Sequence, residues 1–287
     1  MKNRLTVDQA VFLKMPVVDT DIAVAVCDIT DMCAVAGKLA AVYGDVAVVV
    51  DGKNSTVSEL VSLDKAKTVE IPAQKSFEKK RYNVADVLRV IDRLTWEDGG
   101  CPWDKVQTHD SIRVNMIEEA YEAVDAIDKR DVANMREEFG DVLLQSVLQS
   151  DIARRGGEFD FGDVCDELCK KLISRHTFIF GSDSARNADD ALALWEKNKA
   201  VEKNYDSVKN QLGRLPDNFP ALLLCQKTYK KLKKAGIAPD PNAMLHTALD
   251  NKDVVSALCA CVWLLADAGS DAEIELNKLV KAEISAL

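Results

Sequence analysis

Ile117–Ile127 reads IEEAYEAVDAI, and Glu138–Gln145 reads EFGDVLLQ. Glu118, Glu119 and Glu122 sit among apolar residues in the first stretch, and Glu138 and Asp141 in the second. On a helix, residues three and four apart share a face. Glu118, Glu119 and Glu122 therefore line one face of a first helix, and Glu138 and Asp141 one face of a second. On the second, Phe139, Val142, Leu143, Leu144, Val147, Leu148 and Ile152 cover most of the circumference. What remains is a narrow stripe of Glu138, Asp141, Gln145 and Gln149. A helix apolar nearly all round is expected to be buried. A buried carboxylate is costly unless it is paired or holds a metal.

The short turn KRDV, Lys129–Val132, predicts two antiparallel helices with facing acids. Like charges in that position repel, and a divalent cation relieves the repulsion. Every candidate ligand is an oxygen, which points to Mg²⁺ or Mn²⁺ rather than zinc. It also argues against a di-iron bundle, which uses Glu-x-x-His. The alternative is a solvated or ion-paired acidic face. Glu137 fits that reading, and Glu118 taken alone fits it better than the other.

The flanking sequence divides into three regions. In residues 1–75, DIAVAVCDI (Asp21–Ile29) and DVAVVVDG (Asp45–Gly52) read as buried strands. Between them lies a helix with Asp31 as cap and Gly44 as stop, which predicts a small α/β domain. IPAQKSFEKKRYN, Ile71–Asn83, reads as a polar linker. Residues 84–204 are helical in pattern. VADVLRVIDRLT opens them as an amphipathic helix. Ser111 is expected to cap the next helix, Ile112 to about Lys129, and Asp131 one running to about Arg155. Further helices cover about Gly162–Arg175 and Ala188–Asn204. Residues 215–287 add one helix ending at Gly236, a break at PDPN, and two more helices. The fold class expected is mainly α.

At 287 residues, 47% hydrophobic and 29% charged, the chain can bury a core. Its net charge of −10 argues against nucleic acid as a partner, since such proteins present positive surfaces. The longest apolar runs, IAVAVC and VAVVV, are too short to span a membrane. The first residues lack the apolar core of a signal peptide. A soluble cytoplasmic protein without a membrane partner is the expectation. None of the eight cysteines forms CxxC, and buried, reduced thiols are expected.

CPWDKVQTHDSI (Cys101–Ile112), IEEAYEAVDAI and EEFGDVLLQ resemble the MazG family of nucleoside triphosphate pyrophosphohydrolases. KKLISRHTFIFG (Lys170–Gly181) and ALWEKNKAVEK (Ala193–Lys203) resemble that family's later segments. The family pattern Glu-Glu-x-x-Glu, spacer, Glu-x-x-Asp falls on Glu118, Glu119, Glu122, Glu138 and Asp141. The resemblance implies an all-α catalytic domain over 84–204 that forms a homodimer. It implies Mg²⁺-dependent cleavage of a nucleoside triphosphate, between its α and β phosphates, into monophosphate and pyrophosphate. It assigns metal-ligand roles to Glu119, Glu122, Glu138 and Asp141, and catalytic roles to Glu118 and Glu119, with Glu118 positioning water. Arg175 stands where the family carries a basic pair before His, although Ser174 replaces the first basic residue. Lys171, Lys199 and Lys203 are further candidates for the phosphates. Trp103 and Trp195 could stack a base or pack in a core.

Residues 215–287 resemble a second MazG repeat without its chemistry. No Glu-Glu-x-x-Glu block appears, and the Glu-x-x-Asp position reads DVVS, Asp253–Ser256. One active site per chain is expected. The N-terminal region is weakly similar to the C-terminal half of tetrapyrrole methylases. It has no Gly-rich loop for S-adenosylmethionine, so a remnant without methyl transfer is implied. A nucleotide-sensing or scaffold protein with little turnover is the rival functional reading.

Overall fold

A computed structural model describes residues 4–16, 18–74, 77, 79–203 and 207–286. The predicted boundaries at residues 75 and 204 lie outside them. The chain forms two compact units, residues 1–168 and 169–287.

The first unit begins with a mixed sheet. Its elements are β1 (Arg4–Asp8), α1 (Gln9–Lys14), β2 (Ala23–Cys27), α2 (Met32–Tyr43), β3 (Ala47–Val50), β4 (Lys53–Thr56) and β5 (Thr68–Ile71). The strand order is β1-β2-β5-β3-β4. Among the described residues only β1 and β2 pair in parallel; the other three ladders are antiparallel. The predicted strand–helix–strand is present. Asp31 accepts from the Ala34 N–H, and Gly44 ends α2 at φ 70°. Its two strands are not neighbours, however, because β5 lies between them. Asp51 and Gly52, at φ 45° and 83°, close the β3–β4 hairpin. Asp-Gly suits that turn because both residues tolerate the left-handed region. Val24, Val26, Val35, Leu39, Val48 and Val69 form the buried core.

Helices follow: α3 (Val84–Thr95), α4 (His109–Ile112), α5 (Asn115–Lys129), α6 (Val132–Gly156) and α7 (Phe161–Arg175). The segment read as a linker is partly structural. The Lys79 side chain is 5% exposed and pairs with Asp21 and Asp86. Arg89 pairs with Asp19, Asp21 and Asp86 at 2.9–3.1 Å. Lys75, Ser76 and Glu78 of that segment lie outside the described residues. The cap expected at Ser111 falls at Thr108, whose hydroxyl accepts from the Ser111 N–H at the start of α4. A turn then separates α4 from α5. Ile91, Ile112, Val147 and Leu148 make this region's core.

The second unit comprises the end of α7 with α8 (Thr177–Phe180), α9 (Ala188–Glu202), α10 (Val208–Leu212), α11 (Ala221–Lys234), α12 (Pro241–Asp250), α13 (Val254–Asp267) and α14 (Ala272–Ser285). PDPN closes the break after α11, as expected, and also opens α12, a helix that was not expected. Asp240 caps α12 and Pro241 is its first residue, where the missing N–H costs nothing. Tyr229, Val262, Trp263 and Ala272 form this unit's core. Among the described residues no single helix is long and apolar enough to cross a membrane; α13 and α14 reach that length only as a pair bent by 105°. None of the eight cysteines is fully buried, and Cys33, Cys165, Cys169 and Cys261 are exposed. The expectation of buried thiols is corrected accordingly: each stands on an element that is only partly covered at that position.

Candidate metal centre

The site is built on a helical hairpin. α5 ends at Arg130, which takes the left-handed conformation at φ 55°. Its N–H donates to the Ile127 carbonyl, and the Asp131 N–H donates to the Ala126 carbonyl. Asp131, as predicted, caps α6, accepting from the Ala133 and Asn134 N–H groups at 3.1 Å. Two residues thus reverse the chain. Small buried Ala123 and Ala126 let the helices approach closely.

Glu119 and Glu122 on α5 meet Glu138 on α6, one carboxylate oxygen from each lying within 4.8 Å of the others. Among the described residues no other set of three His, Cys, Asp or Glu side chains comes so close. Burial, the charges of Asp141, Glu122 and Glu138, and a hydrogen bond with Glu122 push the Glu119 carboxyl above its usual range. Burial and the charges of Glu122, Asp141 and Glu137 push Glu138 up, against a lowering bond from Asn134. Asp141 therefore acts on two members of the trio through its charge. Glu118 is exposed and outside the trio. The donors are all carboxylate oxygens, a set that suits a hard divalent cation.

Burial differs from the sequence expectation. Val147 and Leu148 are buried, but Phe139 is 51% and Val142 38% exposed. The first half of α6 is thus open, and the apolar ring that begins at Phe139 becomes buried only further along the helix. Further along the acidic stripe, Gln145 is buried, and its Oε1 has no hydrogen-bond partner among the described residues. Gln149 Oε1 bonds His109 Nδ1. Residue periodicity found the stripe but not this link to His109; the Thr108–Ser111 cap, had it been read, would have placed His109 at the first turn of α4.

The remaining predicted residues have varied surroundings. Trp103 is 58% exposed and so is not a core residue. In the second unit, Arg175 is 5% exposed and grips Glu202 with two bonds of 2.8 and 2.9 Å. Arg175 and Lys199 stand 5.0 and 4.8 Å from the Trp195 ring centroid. Lys171 is exposed. Asp253, at the expected Glu-x-x-Asp position of the second repeat, caps α13 instead, accepting from the Ser256 N–H and hydroxyl.

Residues 107–180 match the model of the MazG nucleotide pyrophosphohydrolase domain. A 26.1 kDa protein of Streptomyces cacaoi is 35% identical over 212 residues, 69% of this chain and 86% of its own. The chain belongs to the MazG family. The nucleoside triphosphate pyrophosphohydrolase of Escherichia coli (strain K12) is 38% identical over 150 residues, 52% of this chain and 57% of its own. The nucleoside triphosphate pyrophosphohydrolase/pyrophosphatase MazG of Thermotoga maritima is 35% identical over 151 residues, 53% of this chain and 57% of its own. The chain thus spans little more than half the length of these two relatives. Glu118, Glu119, Glu122, Glu138, Asp141 and Arg175 all fall inside the matched MazG domain.

Proposed function

We propose that this MazG chain hydrolyses nucleoside triphosphates to the monophosphate and pyrophosphate with Mg²⁺. The observation that carries the reading is the convergence of Glu119, Glu122 and Glu138 from two helices within the matched domain. Those three and Asp141 would hold Mg²⁺, with Mn²⁺ as substitute. Bound there, the ion supplies positive charge against the triphosphate and makes water a better nucleophile. Glu118, exposed beside Glu119, orients the attacking water. With Arg175 turned to Glu202, Lys171 and Lys199 are the first candidates for phosphate contacts, and exposed Trp103 for the base. The test is a nucleotide panel with pyrophosphate detection. Pyrophosphate as the immediate product supports the reading; orthophosphate alone, or no turnover, sinks it. Mg²⁺-dependent binding without turnover would favour the sensor reading.

We also propose a homodimer. Ile117, Tyr121, Val124, Ile127, Phe139 and Val142 leave the hairpin with an exposed apolar surface, and such patches mark association sites. Light scattering on the wild type and Tyr121→Glu tests it. For residues 215–287 we keep the reading of a degenerate repeat, supported by Asp253's use as a helix cap. For residues 1–75 we keep that of a methylase-like remnant; binding of S-adenosylmethionine would overturn it.

A further inference from the structure

Cys225 on α11 and Cys259 on α13 face each other with their sulfurs 3.0 Å apart. That is about 1 Å beyond a covalent S–S bond. The pair is the first rung of a three-rung ladder. One turn further along both helices, Tyr229 stacks on Trp263 at 4.8 Å between centroids and 16° between planes. One turn further again, Lys233 pairs with Asp267. The thiols and the ion pair share the same separation of 34 residues, and Tyr229 and Trp263 keep it too. Steps of four residues stay on one helix face, so α11 and α13 run alongside each other in fixed register. The thiols are held together by the rungs beyond them.

We propose that Cys225 and Cys259 are a redox-modification site, in which a low-molecular-weight disulfide converts them to an intramolecular disulfide stapling α11 to α13. Both thiols are half-buried rather than sealed. The Cys225 thiolate attacks one sulfur of the small disulfide; its S–S bond breaks, and the released thiolate takes up a proton. Cys259 then loses its proton to solvent and attacks the Cys225 sulfur of the mixed disulfide. The second small thiol leaves. Two protein thiols are oxidised and one small disulfide is reduced to two thiols. Burial and the neighbouring Cys225 push the Cys259 thiol up to about 12. The inference is independent of the proposed hydrolysis, because it involves none of the hairpin acids.

The test incubates the full-length protein with oxidised glutathione, alkylates the remaining thiols and maps the peptides. The expected result is a Cys225–Cys259 crosslink without glutathione attached, and Cys261 outside it. Melting should rise by on the order of 5 °C, since a disulfide restricts the unfolded chain. Dithiothreitol should reverse the rise, and Cys225→Ser should abolish it. Recovery of Cys225 and Cys259 as alkylated thiols, or as two separate glutathione adducts, while exposed Cys33 has reacted, overturns the proposal.

Discussion

Glu119 on α5 and Glu138 on α6 hold carboxylate oxygens within 4.8 Å of each other, and both carboxyls lie above their usual range. A folded acid whose pKa is raised binds its proton more tightly than in the unfolded chain. Without metal, the cluster therefore destabilises the fold above that range, and the penalty fades as pH falls through it. In EDTA at pH 7, Glu119→Gln should melt slightly above wild type, and the gap should close toward pH 4. Mg²⁺ should raise the wild-type melting temperature more than that of Glu119→Gln. Scanning fluorimetry with and without Mg²⁺ checks both. A variant less stable than wild type in EDTA sinks the reading of repelling acids.

Removal of a proposed ligand should cost turnover more than stability. Even outer-shell partners of a metal cost about 10- to 100-fold when mutated. Glu122→Gln and Asp141→Asn should each lower pyrophosphate release by at least about 100-fold on that scale. Circular dichroism should show both variants folded. Wild-type rates in both would exclude the assignment.

Arg175 and Glu202 make a pH-dependent clasp between α7 and α9. The Arg175 bonds, joined by the charges of Arg175 and Lys203, hold Glu202 at about 2, below its ordinary 4.5. For a depressed acid, the stabilisation is complete above the unfolded value and is lost as pH falls through the folded one. Glu202→Gln should therefore unfold at lower urea than wild type at pH 7. The difference should shrink below pH 4.5 and vanish near pH 2. A pH-independent difference would remove the clasp as its cause.

Lys79 and Asp86, each with a side chain 5% exposed, form a buried pair. Burial pushes Asp86 up, but the Lys79 bond, the Asn83 N–H and the Lys79 and Arg89 charges together hold it below the usual range. Breaking such a pair from one side costs about 3–5 kcal/mol. Asp86→Ala should fall in that range by urea denaturation. Lys79→Met should cost less, because Arg89 stays on Asp86 at 2.9 Å. The reverse order would show that Arg89 does not compensate for the loss of Lys79.

Arg130 carries a left-handed backbone at φ 55°, which costs a non-glycine residue roughly 1 kcal/mol. Arg130→Gly should raise stability by up to about that amount and leave catalysis unchanged. Its melting temperature decides the matter, and a decrease would mean that the side chain contributes more than the strain costs.

The hairpin site was legible because its information is local. Helical spacing alone puts Glu119 with Glu122, and Glu138 with Asp141, each on one face. Asp131 and the adjoining turn then set α5 against α6 within a few residues. Asp31 and Gly44 bounded α2 for the same reason, since caps are decided by neighbouring backbone groups. Pro241 misled because proline marks both a break and a first turn, and Asp240 beside it was the deciding signal.

By itself the sequence determined the longer helices, the caps at Asp31, Gly44 and Asp131, the acidic stripe and the family resemblance, all set by period, spacing and turn chemistry. Tertiary structure alone decided what depends on distant chain segments. β5 enters between β2 and β3 through backbone bonds that no local pattern specifies. Lys79 is buried because Asp21 and Asp86 meet it from either side. Phe139 and Val142 of α6 stay exposed because apolar character says only that a face can be covered, while packing decides whether it is. Cys225 and Cys259 stand in contact because two helices share one register at a sequence separation of 34, a relationship that exists only once the chain has folded.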